Sequence, residues 1–204
     1  MGIFRIALTG GIATGKSHVL KRFRSYGIPT IDADRIARDV VQVDCPANAS
    51  IRSRFGESVF QKDGQIDRKK LAARVFDSTS DRKALEDIIH PYVRKDIDQW
   101  FDQIELNKQA RFAIAAIPLL FETNRQADFD LVLLTACQPD NQLNRLLERE
   151  GIDEIAARKR INAQLPSRQK EEGADFIIRT DGSYLETEQQ ITDVLNALIA
   201  KQKE

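Results

Sequence analysis

Residues 3–17 read IFRIALTGGIATGKS, an apolar run that ends in two glycines and continues into Gly-Lys-Ser. The residues that follow place Val19, Leu20 and Phe23 at the spacing of one helix face. This stretch therefore predicts a strand, a glycine-rich turn and a helix. A second short apolar run at 28–31 comes next, so the chain opens with a β-α-β unit.

The glycine-rich turn fits a loop that binds phosphates. Gly10 to Ser17 match G-x-x-x-x-G-K-S, and the match lies between a strand and a helix, as this motif requires. Glycines let backbone N–H groups turn toward a phosphate, and the helix adds the positive end of its dipole. We expect Lys16 to reach β- and γ-phosphate oxygens and Ser17 to offer its hydroxyl to magnesium. The structural alternative is a glycine turn with an unrelated Lys-Ser pair.

The rest of the chain extends this pattern into an α/β fold. Residues 35–107 read as helices with no clear strand, which indicates a helical insertion. Two later apolar runs are typical of strands buried on both faces of a parallel sheet. We therefore predict a three-layer α/β fold with a mostly parallel sheet. The later segments are strands at 111–117, 130–136 and 176–178, and helices at 139–150, 153–164 and from 184 onward.

Length and cysteine content favour one domain in a reducing compartment. The chain has 204 residues and a mass of 23.1 kDa, which fits a single domain with an insertion. A chain of this size buries a core without disulfides or a structural metal. Cys45 and Cys137 fit neither a zinc site nor a disulfide scaffold, so we expect a cytoplasmic setting. The first residues also lack the pattern of a signal peptide.

Charge and hydropathy argue against two classes of partner. The 31 basic and 31 acidic side chains balance, so there is no overall positive charge for nucleic acid. The longest apolar runs, such as 112–120, have about nine residues, whereas a membrane span needs about 20. We expect neither a nucleic-acid partner nor a membrane span.

Two carboxylates follow the second predicted strand. Asp32 and Asp34 lie at the carboxyl edge of the sheet, where ligands bind in open α/β folds. A carboxylate there accepts a proton from an acceptor hydroxyl or binds magnesium through water, and we favour Asp34 as the base. Either aspartate also suits the N-cap of the helix that begins near Arg35.

Arginines follow residue 138 on predicted helices. Gln142, Arg145 and Arg149 share one helix face, and Arg160 lies on the next helix. Guanidinium groups on a mobile helical pair would stabilise the charge that spreads over the transferred phosphoryl oxygens. The alternative is a solvated face on which neighbouring acidic residues pair with these arginines.

Two further segments are candidates for an acceptor site. The segment Pro118–Glu122, which contains Leu119 and Leu120, follows a predicted strand at the ligand edge. Its alternative interpretation is a turn that ends the strand and buries apolar side chains. His90-Pro91 lies in the helical insertion, where a lone histidine more often packs or caps a helix than catalyses.

In their order along the chain, these motifs resemble the dephospho-CoA kinase family. The resemblance covers about residues 3–182, and the ordered series is far more specific than any single motif. The motifs are Leu8 to Ile12 with Gly15-Lys16-Ser17, Ile31 to Asp34, Phe55-Gly56, Asp63 to Arg68, His90-Pro91, Ile117 to Glu122, Gln142 with Arg145-Leu146 and Arg149, Arg160-Ile161 with Gln164, and Ala174-Asp175.

The resemblance implies a reaction and a division of the chain. The reaction is ATP-dependent phosphorylation of the ribose 3′-hydroxyl of 3′-dephospho-CoA, which gives CoA and ADP in the last step of coenzyme A synthesis. The division is a P-loop kinase core at about 1–60, 106–137 and 171–204, a helical acceptor-binding insertion at about 60–105, and a lid at about 138–170. ATP and Mg²⁺ are the implied donor and metal, and the chain is expected to be a monomer or a weak homo-oligomer.

The same resemblance implies a set of site residues. The catalytic group consists of Asp34, Lys16 and Arg145. The nucleotide is expected to contact Gly11, Ala13, Thr14, Gly15, Lys16, Ser17 and His18, with Ser17 also on the metal. The acceptor is expected to contact Thr9, Asp34, His90, Pro91, Leu119, Leu120, Arg149 and Arg160.

The chain departs from the family pattern at four positions. Ala13 replaces a loop glycine, and His18 stands where Ser or Thr is usual. Ala116 replaces an Asp before Pro-Leu-Leu, and Thr180 lies in a late loop where the family often has Asn and where adenine is expected. We expect the departures at Ala13, His18 and Thr180 to alter ATP affinity or base preference, and Ala116 to make magnesium depend more on Ser17, Asp34 and water.

Two other functions compete with this one. The chain could be another P-loop small-molecule or nucleoside kinase with a different acceptor, or a catalytically weak nucleotide-binding module. A guanine-specific switch is disfavoured because Asn107-Lys108 is not followed by the Asp of an N-K-x-D motif.

Overall fold

The computed structural model describes residues 2–76, 78–108 and 110–201. Within these residues five strands form one sheet: β1 (Phe4–Gly10), β2 (Thr30–Asp32), β3 (Phe112–Ala116), β4 (Leu131–Ala136) and β5 (Phe176–Arg179). Their order across the sheet is β2-β3-β1-β4-β5. The pairings of β1 with β3, β1 with β4 and β4 with β5 are parallel. The predicted α/β class with a mostly parallel sheet is therefore confirmed.

Helices fill the connections between the strands. They are α1 (Lys16–Ser25), α2 (Ala33–Asp39), α3 (Pro46–Phe55), α4 (Arg68–Phe76), α5 (Thr79–Leu106), α6 (Pro139–Glu150), α7 (Glu154–Asn162), α8 (Ser167–Glu172) and α9 (Tyr184–Lys201). Short 3-10 helices lie at Glu57–Val59 and Gln126–Asp128. The sequence did not predict α8, because its polar and charged residues show no apolar period.

The central strands are buried along their whole length, as their continuous apolar runs predicted. Every residue of β3 and β4 is buried. In the parallel register Leu8 of β1 lies opposite Ala116 on one side and Leu133 on the other. The three strands therefore end at the same edge of the sheet, where the loops that follow them become neighbours.

The chain divides into two compact units. One contains the residues up to Ile31 and from Gln103 onward, and the other is Asp32–Asp102. The start of the acceptor-binding insertion near residue 60 stays a prediction. The compact helical unit itself begins at Asp32, and Ile51 of α3 packs with Leu71 of α4 in its apolar cluster.

A charged triad joins three helices within the helical unit. The buried side chain of Asp81, near the start of α5, accepts hydrogen bonds from Arg54 at 2.6 Å and Arg74 at 2.8 Å. The hydrogen bond from Arg74, with the charge of Arg54, lowers the pKa of the Asp81 carboxyl. The two arginines therefore hold Asp81 ionised.

Two further features of the chain are its cysteines and the hydropathy of its helices. Cys45 and Cys137 are both free thiols. Burial raises the pKa of the Cys137 thiol, so it is protonated and unreactive at neutral pH. In the described part of the chain, no helix combines the length and the apolar character needed to span a membrane.

Candidate active site

The loop after β1 ends in backbone N–H groups that donate no hydrogen bond within the described residues, at the start of α1. Ala13 and Gly15 have left-handed backbone conformations, with φ of 61° and 89°. This conformation is natural for glycine and strained for alanine, so Ala13 carries backbone strain in this loop. Gly15 is the N-cap of α1 and no side chain caps the helix. Among the described residues, no acceptor bonds the N–H groups of Gly15, Lys16 or Ser17.

Threonine side chains connect the phosphate-binding loop to the ends of the neighbouring strands by hydrogen bonds. The Thr14 hydroxyl donates to the Gly11 carbonyl at 2.8 Å and lies 2.9 Å from the Thr135 hydroxyl. Thr135 in turn donates to the Thr9 carbonyl at 3.2 Å. A side chain at Gly10 would place its Cβ 2.0 Å from Thr135 Oγ1, so only glycine fits there. The loop is thus fixed to the ends of β1 and β4.

Two glutamines from the predicted lid bind Ile12 of the phosphate-binding loop. Gln142 Nε2 donates to the Ile12 carbonyl at 2.8 Å, and Gln164 Oε1 accepts the Ile12 N–H at 2.8 Å. Both polar groups of one loop residue are therefore satisfied by side chains more than a hundred positions away. The resemblance included both glutamines but assigned them no role. Only long-range geometry shows that they bind Ile12.

Arg145 lies beside the loop without a carboxylate partner among the described residues. Its Nη1 donates to the Thr180 hydroxyl at 2.9 Å, and its Nη2 donates to the Thr180 carbonyl. The Thr180 hydroxyl donates to the Thr14 carbonyl at 2.9 Å. Arg145 is thus held next to the phosphate-binding loop by neutral groups, which leave its charge uncompensated.

A cavity of about 330 Å³ opens next to the start of α1. It is lined by Gly15, His18, Arg145, Thr180, Gly182, Tyr184 and Thr187. The His18 ring lies 5.2 Å from the Tyr184 ring, and His18 Nε2 is 3.3 Å from Glu188 Oε1. Tyr184 is 78% exposed, so its ring is available to a ligand. Two aromatic rings and a cation therefore line one cavity.

A capping box positions the start of α9 beside this cavity. The Ser183 N–H donates to Glu186 Oε2 at 2.6 Å, and the Glu186 N–H donates to the Ser183 hydroxyl at 3.3 Å. Ser-x-x-Glu is the sequence signature of this cap. The bonds from Ser183 lower the pKa of the Glu186 carboxyl. The cap fixes the backbone on both sides of Tyr184.

Lys16 and Ser17 occupy the first turn of α1. Lys16 is half-buried and forms no ion pair with any residue that the structure describes. The Ser17 side chain is exposed and has no hydrogen-bond partner within the described ranges. A free ammonium and a free hydroxyl at a helix N-terminus fit an anion and the hard cation that accompanies phosphates.

The two aspartates where β2 ends and α2 begins differ in their contacts. Asp32 is the N-cap of α2, and its Oδ1 accepts the Asp34 N–H at 3.0 Å. The Asp34 side chain is exposed in the first turn of the same helix. The capping alternative thus holds for Asp32 and leaves the Asp34 carboxylate uncommitted.

The other arginines of the predicted lid pair with acidic side chains. Arg149 and Arg160 both contact Glu150, the former at 2.7 Å. Arg158 pairs with Glu154 at 2.7 Å. The solvated-face alternative therefore describes these three arginines in this structure, whereas Arg145 differs from them in its neutral partners.

The remaining acceptor candidates lie in two places. His90 and Pro91 are exposed within α5, which continues through the proline. The segment Pro118–Glu122, which we name the β3 turn, follows β3 at the edge of the sheet. In this turn Leu119 is 37% exposed, whereas Leu120 is fully buried. Leu120 therefore packs in the core, and only Leu119 is accessible to a ligand.

Comparisons with known proteins place this chain in a family. The family model for dephospho-CoA kinase matches residues 4–186. The chain belongs to the dephospho-CoA kinase family. A dephospho-CoA kinase from Shouchella clausii is 42% identical over 191 residues, which are 94% of this chain and 96% of that relative.

Solved structures agree with this membership. A crystal structure of a Thermus thermophilus protein has a TM-score of 0.84 and 30% sequence identity. Dephospho-CoA kinase from Campylobacter jejuni has a TM-score of 0.73 and 29% identity. Each comparison covers 98% of both chains. The family and the α/β kinase fold that the sequence motifs predicted are confirmed, and the chain is a phosphotransferase.

Proposed function

We propose that this chain transfers the γ-phosphoryl group of ATP to the ribose 3′-hydroxyl of 3′-dephospho-CoA, giving CoA and ADP. The observation that carries the proposal is the loop at the start of α1, where unbonded N–H groups lie beside Lys16. The acceptor is supported by the family and by the names of relatives that cover nearly the whole chain.

The donor phosphates are proposed to bind the N–H groups of residues 15–17 and the ammonium of Lys16. These groups neutralise negative charge that increases on the leaving β-phosphate as the γ-phosphoryl group departs. Arg145 supplies a second cation because its present partner, Thr180, is neutral and competes weakly with a phosphate. We propose that the guanidinium exchanges its bonds to Thr180 for bonds to phosphate oxygens.

The adenine is proposed to occupy the cavity that His18 and Tyr184 line beside the start of α1. The two rings suit a planar base, and Gly182 and Thr180 leave room beside them. His18, which departs from the family pattern, thus lies where it would influence base binding.

Magnesium would be held by the Ser17 hydroxyl, with water and phosphate oxygens completing its ligands. A bound magnesium ion neutralises phosphate charge during the transfer. Ser17 contributes an oriented oxygen from the first turn of α1, and Lys16 contributes its charge from the same turn.

Asp34 is proposed to accept the proton of the acceptor hydroxyl. Its neighbour Asp32 is committed as a helix cap, so Asp34 is the free carboxylate of the pair. Proton removal makes the hydroxyl oxygen a better nucleophile for in-line attack.

The helical unit is proposed to bind the rest of the acceptor. It contains a cavity of about 310 Å³ whose apolar walls include Ile51, Leu71 and Ala72. Gln65 and Arg68 also line it and offer polar contacts. Apolar walls with a few polar groups suit a small organic molecule that carries amides.

An acceptor panel tests this proposal. Purified protein with Mg-ATP is offered 3′-dephospho-CoA, shikimate or a nucleoside monophosphate, and ADP release is followed. We expect ADP only with 3′-dephospho-CoA. Turnover with another acceptor would make the chain a different small-molecule kinase, and ATP binding without any turnover would make it a nucleotide-binding module.

A further inference from the structure

A buried ion pair joins the β3 turn to α8. Lys170 Nζ lies 2.7 Å from Glu122 Oε1, and the lysine side chain is 1% exposed. Glu122 Oε1 also accepts the Leu165 N–H at 3.0 Å. The second oxygen, Glu122 Oε2, is buried and has no hydrogen-bond partner within the described residues. Apart from its contact with Glu122 Oε1, Lys170 Nζ has no hydrogen-bond partner among the described residues.

Stability alone does not explain this pair. Burying two charges requires their desolvation, and the Coulomb attraction offsets this only when the remaining polar atoms are also bonded. Here Glu122 Oε2 has no partner among the described residues, and Lys170 Nζ has none there beyond Glu122 Oε1. A neutral pair of similar shape is therefore expected to be equally stable or more stable. A role in fixing position gives a reason for the charges.

The pair fixes a turn that lies next to the phosphate-binding loop. Thr9, at the start of that loop, donates from its hydroxyl to the Pro118 carbonyl at 3.3 Å. A Cβ at Gly173, just after α8, would lie 2.7 Å from the Phe121 ring, so the turn and the end of α8 are closely packed. Leu119 is the most exposed residue of the turn.

The segment that receives Glu122 also holds the phosphate-binding loop. Gln164 accepts the N–H of Ile12 in that loop, and the next residue, Leu165, donates to Glu122. Two adjacent residues thus bond two different loops at the edge of the sheet. Phosphoryl transfer needs donor and acceptor to be held in line, so a fixed distance between these loops has direct value for the reaction.

We infer that Glu122 is a positioning residue for the acceptor. Held by Lys170, its carboxylate fixes the β3 turn to residues 164–165, which also bond the phosphate-binding loop. The inference rests on the proposed function, because the sequence predicts that the turn lines the acceptor site of that reaction. Glu122 does not touch the reacting atoms in this role. Its removal is expected to weaken acceptor binding while the site for ATP keeps its own bonds.

Three variants separate positioning from stability. The double variant Glu122→Met with Lys170→Met, the Met pair, removes both charges and the bond to Leu165. The double variant Glu122→Gln with Lys170→Met, the Gln pair, removes the charges but keeps an oxygen for the Leu165 N–H. Glu122→Asp keeps the charges but shortens the reach by one methylene. Glu171→Gln is the matched control, because Glu171 is the next residue of α8 and pairs with Arg179 instead.

The measurements are the melting temperature, the Kd of Mg-ATP without acceptor, and KM and kcat for 3′-dephospho-CoA. We expect the Met pair to raise KM about tenfold, with the Kd of ATP changed less than about twofold. Glu122→Asp is expected to raise KM in the same direction, and the Gln pair to recover only part of the loss, because it keeps an acceptor for the Leu165 N–H but not the ion pair with Lys170. Glu171→Gln is expected to leave KM unchanged.

A merely structural pair gives a different pattern. It would lower the melting temperature and the fraction of active enzyme without raising KM. A KM equal to that of wild type in the folded Met pair would overturn the inference. If the Met pair does not fold, a KM equal to that of wild type in Glu122→Asp would overturn it. Wild-type protein that binds ATP but turns over no 3′-dephospho-CoA would overturn the proposed function itself.

Discussion

Arg145 donates two hydrogen bonds to Thr180, one to its hydroxyl at 2.9 Å and one to its carbonyl. The same hydroxyl donates a hydrogen bond to the Thr14 carbonyl in the phosphate-binding loop. Because the partners are neutral, the guanidinium is placed beside the loop without being neutralised. A planar group with several donors is needed to hold both atoms of Thr180 at once.

Replacement of Arg145 by lysine should therefore impair the reaction although the charge is kept. A single ammonium does not reproduce the two bonds of the guanidinium fork. We expect Arg145→Lys to lower kcat by about 10²-fold, as for loss of one transition-state donor. Thr180→Val is the comparison, because it removes the hydroxyl contact and should mainly raise the Kd of ATP. Steady-state kinetics and calorimetry measure the two effects, and a wild-type kcat for Arg145→Lys would contradict the role.

Tyr184 should contribute to donor affinity through its exposed ring. We expect Tyr184→Ala to raise the Kd of Mg-ATP about tenfold, which is the effect of losing one stacked base contact. Tyr26→Ala is the matched control, since Tyr26 is partly exposed and lies off the cavity, where its hydroxyl is 3.4 Å from Thr192 Oγ1. Equal affinities of the two variants, measured by calorimetry without acceptor, would place the base elsewhere.

Filling the cavity of the helical unit should weaken acceptor binding selectively. Ala72 lines that cavity, whereas Ala73, the next residue of α4, does not. We expect Ala72→Trp to raise KM for 3′-dephospho-CoA about tenfold and to leave the Kd of ATP unchanged. Ala73→Trp should behave as wild type in both assays. Unchanged KM in a folded Ala72→Trp variant would exclude this cavity as the acceptor site.

Acid should destabilise the helical unit through Asp81. The pKa of this carboxyl in the folded protein lies below its ordinary value of 3.8. The ion pairs with Arg54 and Arg74 therefore stabilise the fold above that value, and the stabilisation is lost as the pH falls through the folded pKa. We expect Asp81→Asn to lower the melting temperature at pH 7 by about 2–6 °C. The difference from wild type should shrink below pH 3.8, and a difference that grows with acid would contradict this sign.

The sequence was sufficient for the parts of the site that are local in the chain. The phosphate-binding loop, its flanking strand and helix, and the buried runs of β3 and β4 follow from residue type and spacing alone. The sequence favours Asp34 over Asp32 as the base but leaves helix capping open for both, since aspartate caps helices well. Only the bond from the Asp34 N–H to Asp32 Oδ1 distinguishes them.

Contacts between distant segments were outside the reach of sequence patterns. Gln142 and Gln164 bind Ile12, but nothing in their local sequence indicates a loop partner. Lys170 is almost wholly buried in a short helix, where its residue type predicts exposure. Its partner Glu122 is 48 positions away by residue number, so only the folded chain shows the pair.

The central claim is tested most directly by ADP and CoA formation with Mg-ATP and 3′-dephospho-CoA, in wild type beside Lys16→Ala and Asp34→Asn. We expect one CoA for each ADP, no ADP without acceptor, and a loss of about 10³-fold or more in both variants. ADP release that does not depend on 3′-dephospho-CoA, or an Asp34→Asn variant as fast as wild type, would contradict the account.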